Sequence, residues 1–253
     1  MTIRTIDERS GAWLRVVLDE PPGNLLSLAM VRSLTAVLDA SGPTRKWITF
    51  EGAGEHFSFG AKIQEHVPGP MEQVLPATHA LFRRILSLPA PTAALVHGVC
   101  FGGAFELALA CDTIIAVEDA RLGLPEINLA AFPPAGAALL ALRVGASRST
   151  SAVLTGEGRS AAAWRDTGLI EELAPPGQLI GVAGAWFDAT LQPRSAVALG
   201  AAAHAARIPV RSIAEPAIAA AEKLYLERVL HSGDAAEGVR AFLEKRAPRW
   251  SNR

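Results

Sequence analysis

The stretch His97-Gly98-Val99-Cys100-Phe101-Gly102-Gly103-Ala104-Phe105-Glu106-Leu107-Ala108-Leu109-Ala110-Cys111-Asp112 decides how this chain is read. A short apolar strand, Ala93 to Val96, runs into it, and the glycine pair opens a helix spanning Gly102 to Cys111. Glycines at such a junction allow a bound group close to the backbone, and the first N–H groups of a helix have no partner inside it. That end of a helix favours negative charge. Glu106 lies three residues after Gly103, on the same helix face. Close packing of helix on strand is the ordinary role of Gly102-Gly103, and a solvent-facing acid is the ordinary role of Glu106. The second fits poorly, because Phe105, Leu107, Ala108, Leu109 and Ala110 leave little polar face. A carboxylate in apolar surroundings needs a reason, and proton transfer beside an oxyanion site is one.

Outward from this stretch, strands and helices alternate. Trp13 to Leu18 reads as a strand, stopped by the turn Pro21-Pro22-Gly23-Asn24. Ser27 caps a helix carrying Val31, Leu34, Val37 and Leu38 at helical spacing. Trp47 to Glu51 and Thr113 to Val117 are further strands, and residues 78 to 88 are an amphipathic helix stopped by Pro89. This alternation predicts an α/β fold with crossover connections. From about residue 178 the strand signal ends, and helices are expected over 178–190, 196–206, 211–231 and 235–246. The organisation read from this is an α/β core over 1–195 and a helical C-terminal region over 196–253.

Two more segments carry candidate chemistry. Arg121-Leu122-Gly123-Leu124-Pro125-Glu126-Ile127-Asn128-Leu129 places a second acid just after a proline suited to a first helical turn. Alone, Glu126 reads as a helix-start acid; together with Glu106 it suggests a pair. His56-Phe57-Ser58-Phe59-Gly60-Ala61-Lys62-Ile63-Gln64-Glu65-His66 offers another loop with exposed N–H groups, or a plain connection.

Composition narrows the classes. At 253 residues, 50% hydrophobic and 19% charged, the chain is long enough to bury its own core and is far from disordered compositions. A net charge of −1 gives no footprint for nucleic acid or an anionic membrane. Cys100 and Cys111 are too few for a disulfide framework and wrongly spaced for zinc, so they read as reduced core thiols. The N-terminus has no apolar signal core, and Leu129 to Leu142, interrupted by two prolines, is short of the about 20 residues a membrane span needs. A soluble, cytoplasmic protein is expected.

In this order, the three segments resemble the crotonase (enoyl-CoA hydratase/isomerase) superfamily, through the block His-Gly-x-x-x-Gly-Gly-x-x-Glu-Leu-Ala-x-x-Cys-Asp over residues 97–112. The resemblance runs from Asn24-Leu25-Leu26-Ser27 to Ala241-Phe242-Leu243-Glu244-Lys245-Arg246. It implies a spiral of ββα units with a helical C-terminal trimerisation region, assembly as trimers or dimers of trimers, and an acyl-CoA thioester substrate with no separate cofactor or metal. Residue by residue, it implies an oxyanion hole from the N–H groups of Ala61 and Gly103. It further implies Glu106 and Glu126 as proton-transfer acids of a hydratase, and CoA or substrate contacts at Gly60, Lys62, Ile63, Gly102 and Lys245. Ala104, Leu124, Pro134, Lys62 and Leu226 (after Tyr225) depart from common family residues around the pocket, which bears on the substrate. The run from Phe57 to Pro68, with Phe132-Pro133-Pro134-Ala135, is similar to cyclohexa-1,5-diene-1-carbonyl-CoA hydratases, implying water addition to a cyclic dienoyl-CoA. Linear-chain hydratase, isomerase or hydrolase activity are the alternatives, and a non-catalytic RNA- or partner-binding protein is disfavoured by the charge and by both acids. His97 and Asp112 read as turn residues, His66 as structural or solvated, and His79, His204 and His231 as outside any constellation.

Overall fold

The computed structural model describes residues 2–20 and 22–253, so Pro21 of the expected turn lies outside the described residues. Ile3–Glu8 (β1) and Trp13–Leu18 (β2) form an antiparallel pair. Leu28–Ala40 (α1) follows, its N-terminus capped by Ser27 Oγ, which accepts from the Met30 N–H at 3.3 Å. Trp47–Gly52 (β3) then pairs parallel to β2.

The next unit is Met71–Leu86 (α2), Thr92–Val96 (β4), Val99–Phe101 (β5) and Gly103–Ala110 (α3). Thr113–Val117 (β6) and Arg121–Gly123 (β7) repeat the strand pair. Pro134–Val144 (α4), Ala146–Thr155 (α5), Arg159–Ser160 (β8), Ala161–Arg165 (α6) and Glu172–Ala174 (β9) complete the mixed part. Leu179–Thr190 (α7), Ala196–Leu224 (α8) and Gly233–Leu243 (α9) end the chain.

Two layers result. The main sheet has the order β1-β2-β3-β4-β6-β9, parallel apart from its first pair, and the smaller one runs β5-β7-β8. β4 and β6 join the main sheet, and the strand that follows each, β5 and β7, joins the small one. This is the α/β spiral expected of a crotonase fold, with helices closing its C-terminal end. Ser58 bridges to Cys100 and Leu26 to Ala61, extending the small layer along the successive turns. That stacking brings Ala61 and Gly103, far apart in sequence, to neighbouring strand ends.

The core is continuous. Trp13 and Trp47 are buried at 5.0 Å between ring centroids, with Phe187 of α7 at 5.7 Å from each. Both cysteines are free and buried, and burial raises both thiols above their ordinary value. None of the described helices is long and apolar enough to cross a membrane.

Several element limits differ from the sequence expectation. α2 begins at Met71 and continues through Pro76. A proline removes one helical hydrogen bond without abolishing an amphipathic face, and Val74, Leu81, Phe82 and Ile85 bury that face. α8 is one helix where two were expected, running through Pro209 and Pro216. Its anchor is Arg207, 2% exposed, whose guanidinium donates to Asp112 Oδ1 at 2.7 Å and Oδ2 at 2.5 Å. The same group donates to the carbonyls of Leu88 at 2.6 Å and Ala90 at 2.8 Å. Asp112, read from sequence as a turn former, also accepts from the Thr92 N–H at 2.7 Å and ties three elements together.

Candidate active site

α3 is buried along its whole length, which removes the possibility of a solvent face for Glu106. Gly102 precedes it with φ 56°, a conformation that glycine adopts readily. A Cβ at Gly102 would sit 2.8 Å from Glu126 Oε1, and one at Gly103 would sit 3.8 Å from both Ala61 N and Glu106 Oε2. Gly60, at φ 90°, is equally constrained: a Cβ there would meet the Phe101 carbonyl at 2.4 Å and Gly103 N at 3.3 Å. The two glycine loops are therefore packed against each other, backbone to backbone. Among the described residues, neither the Ala61 nor the Gly103 N–H donates to an acceptor in the chain.

Glu106 is 4% exposed, and its Oε1 accepts from the Gly136 N–H at the start of α4 at 2.6 Å. Burial raises its carboxyl above the usual range; the nearby His79 and the N–H groups of Gly136 and Ala135 oppose that rise. Glu126 sits in a 3-10 turn, Pro125–Leu129, with Pro125 in its first position as expected. Burial holds Glu126 well above the carboxylate range, and the negative Glu106 pushes it the same way. Its Oε2 is buried without a hydrogen-bond partner. The two acids thus differ: Glu106 has donors supporting its anion, whereas Glu126 has a buried oxygen with none.

Ala61, Gly103, Glu106 and Glu126 line one pocket, with apolar side chains including Met71, Val74, Phe132 and Pro133 on its walls. Ala61 also lines a throat of about 320 Å³ with Gly102, Ile63 and Glu126, and a larger groove of about 1030 Å³ with Ile63, Phe59 and Phe242. The three spaces share walls, Ala61 lining all of them. Gly60, expected to contact CoA or substrate, lines none of these three spaces, and Lys62 stands exposed beside the groove. Lys245 is exposed, with φ 53°, three residues past Phe242, and does not line these cavities.

Some polar neighbours were not legible in the sequence. His79, expected to lack any constellation, is fully buried and its Nδ1 lies 2.5 Å from Glu222 Oε2. His66 and Tyr225 both face the acid cavity. Gly136, whose N–H fixes Glu106, gave no sequence signal. His97 behaves as expected of a turn residue, its Nε2 3.0 Å from the Gly54 carbonyl. His231 lies 3.8 Å from Glu72 on the surface.

Comparison with known proteins gives the family. The family model for enoyl-CoA hydratase/isomerase matches residues 8–253. The chain is 36% identical over 248 residues to cyclohexa-1,5-dienecarbonyl-CoA hydratase of Thauera aromatica, covering 97% of this chain and 95% of that protein. It is 31% identical over 253 residues to 2,3-dehydroadipyl-CoA hydratase of Escherichia coli, covering 98% of each. A solved enoyl-CoA hydratase from Mycobacterium avium subsp. paratuberculosis aligns with a TM-score of 0.88 at 27% identity, covering 99% of each chain.

Proposed function

The chain belongs to the enoyl-CoA hydratase/isomerase family, and from that premise we propose that it adds water to a conjugated acyl-CoA thioester carrying a cyclic diene, cyclohexa-1,5-diene-1-carbonyl-CoA. It is an enzyme of the hydro-lyase type. One observation carries the reading: the Glu106 carboxyl, held by a backbone N–H, and the Glu126 carboxyl, with one buried oxygen left without a partner, line the same largely apolar pocket as two unengaged N–H donors.

The chemistry follows from that arrangement. The thioester oxygen lies between the N–H groups of Ala61 and Gly103, which stabilise the enolate charge as it develops. Glu106, the better supported anion, takes a proton from water as its oxygen bonds to the β-carbon. Glu126, protonated, delivers a proton to the conjugated carbon that becomes saturated, so the proton count balances. Hydration leaves the overall oxidation state unchanged, so the residues supply every step. Gly102 keeps the throat open, and Ile63 and Phe242 flank the groove that suits the pantetheine arm. Lys62 and Lys245, both exposed, would meet the CoA phosphates at its outer end.

The cyclic substrate is supported by the Thauera aromatica relative. Incubating the protein separately with the cyclic dienoyl-CoA and with crotonyl-CoA, and reading products by mass, tests the proposal. A gain of one water on the cyclic compound, faster than on crotonyl-CoA, is the expected result; faster crotonyl-CoA hydration would move the substrate to linear chains.

A further inference from the structure

Apart from the two acids, the acid cavity holds a second polar feature. His66 forms part of the wall of both that cavity and the thioester throat. Its Nδ1 lies 3.3 Å from the Tyr225 hydroxyl, and its Nε2 is buried without any hydrogen-bond partner. The other hydroxyl on this wall, Thr78, is already committed to the Val74 carbonyl at 2.8 Å. Buried polar atoms are nearly always satisfied, so an orphaned ring nitrogen at a cavity wall points to a group that arrives with the ligand.

The backbone is built to hold this pair. Tyr225 opens a π-helical turn, Tyr225–Val229, at the end of α8, with the Leu230 N–H donating to the Tyr225 carbonyl at 2.9 Å. Single π-turns inside helical runs recur at functional sites, because the extra residue re-aims one side chain. Phe132 fixes the phenol from the side, edge to face at 5.6 Å. With the Tyr225 O–H donating to Nδ1, the ring's one proton resides on Nε2, which is then a donor. Burial pushes the imidazole down to about 4, so it is neutral near pH 7. Burial, Glu126 and Glu106 hold the phenol above its ordinary value, so its proton stays in place.

We infer that His66, oriented by Tyr225, donates from Nε2 to the oxygen that hydration installs on the acyl group, making it a specificity-determining residue for hydroxyacyl-CoA over the unsaturated partner. The inference rests on the hydratase reading. The oxygen it recognises comes from the water that Glu106 deprotonates, in the cavity whose wall His66 shares with Ala61, Gly103, Glu106 and Glu126. A neutral donor suits this task, because it binds a hydroxyl without pairing either carboxyl. Tyr225 acts through His66 and is a positioning residue.

The test compares both directions of the reaction. Wild type, His66→Leu, His66→Gln and Tyr225→Phe are assayed for hydration of cyclohexa-1,5-diene-1-carbonyl-CoA and for dehydration of 6-hydroxycyclohex-1-ene-1-carbonyl-CoA. His66→Leu is expected to raise KM for the hydroxy compound about three- to tenfold, the loss of one neutral hydrogen bond, with KM for the diene unchanged. The overall equilibrium is fixed by the compounds, so kcat for hydration must fall relative to kcat for dehydration by the same factor. His66→Gln, which keeps an N–H donor, should recover part of the loss, and Tyr225→Phe should show a smaller shift in the same parameter. Equal KM changes for both compounds in His66→Leu, or none, overturn the inference. Wild type that turns over neither compound overturns the cyclic-substrate reading on which the inference rests, a result distinct from any behaviour of the variants.

Discussion

Gly136 donates its N–H to Glu106 at 2.6 Å, while Glu126, the other carboxyl in the cavity, has one oxygen buried without a partner. The asymmetry supports the roles proposed for the two acids. It also carries a stability consequence. Glu126 titrates higher in the folded protein than in the unfolded chain, so the folded state holds the extra proton. Stability contributed by that proton is present at low pH and is lost as pH rises from the ordinary carboxylate range toward the raised folded value. Glu126→Gln removes the titration. Its melting temperature is expected to exceed wild type at neutral pH, with the difference shrinking below about pH 4. A constant difference across pH would contradict the buried, raised carboxyl.

Gly102 combines φ 56° with a Cβ position 2.8 Å from Glu126 Oε1. Gly102→Ala should therefore strain the backbone by about 1–3 kcal/mol and displace Glu126. A kcat loss on the order of 10²-fold is expected in steady-state assays, together with a lower melting temperature. Unchanged kcat would remove Glu126 from the chemistry.

Arg207 and Asp112 are 95 residues apart in sequence and joined by two hydrogen bonds in a buried corner. Arg207→Met leaves Asp112 and the Leu88 and Ala90 carbonyls without their donor. Urea unfolding should show a loss of about 3 kcal/mol, the lower end for a broken buried pair, since Asp112 is partly solvated. A loss under about 1 kcal/mol would mean that water replaces the guanidinium.

α8 and α9 leave Val197, Ile208, Ile213 and Phe242 exposed. Such residues on one terminal region favour self-association. Light scattering at micromolar protein is expected to report a trimer or a dimer of trimers; a stable monomer would contradict this.

The fold was legible where local chemistry and tertiary structure agree. The glycine pair before α3, the Ser27 cap and the apolar strands Trp13–Leu18 and Thr113–Val117 all took the form their residues favour. Proline misled the reading of α2 and α8, because burial of one face sustains a helix past a missing hydrogen bond. The acids stood out as charges in apolar runs. Their polar surroundings did not, since His79 meets Glu222 across 143 residues and His66 meets Tyr225 across 159. No periodicity within a short window encodes such pairs.

Steady-state kinetics of Glu106→Gln and Glu126→Gln on the best acyl-CoA substrate test the central claim most directly. Gln keeps the shape of each side chain but cannot exchange the proton. Each change is expected to lower kcat by 10²–10⁴-fold, roughly 3–5 kcal/mol of barrier, with little change in substrate affinity. The double variant should lose far less than the product of the two, because either change already breaks the shared proton path. Near wild-type turnover in either single variant would remove that residue from the pair and leave an enzyme working with one acid, an isomerase or hydrolase.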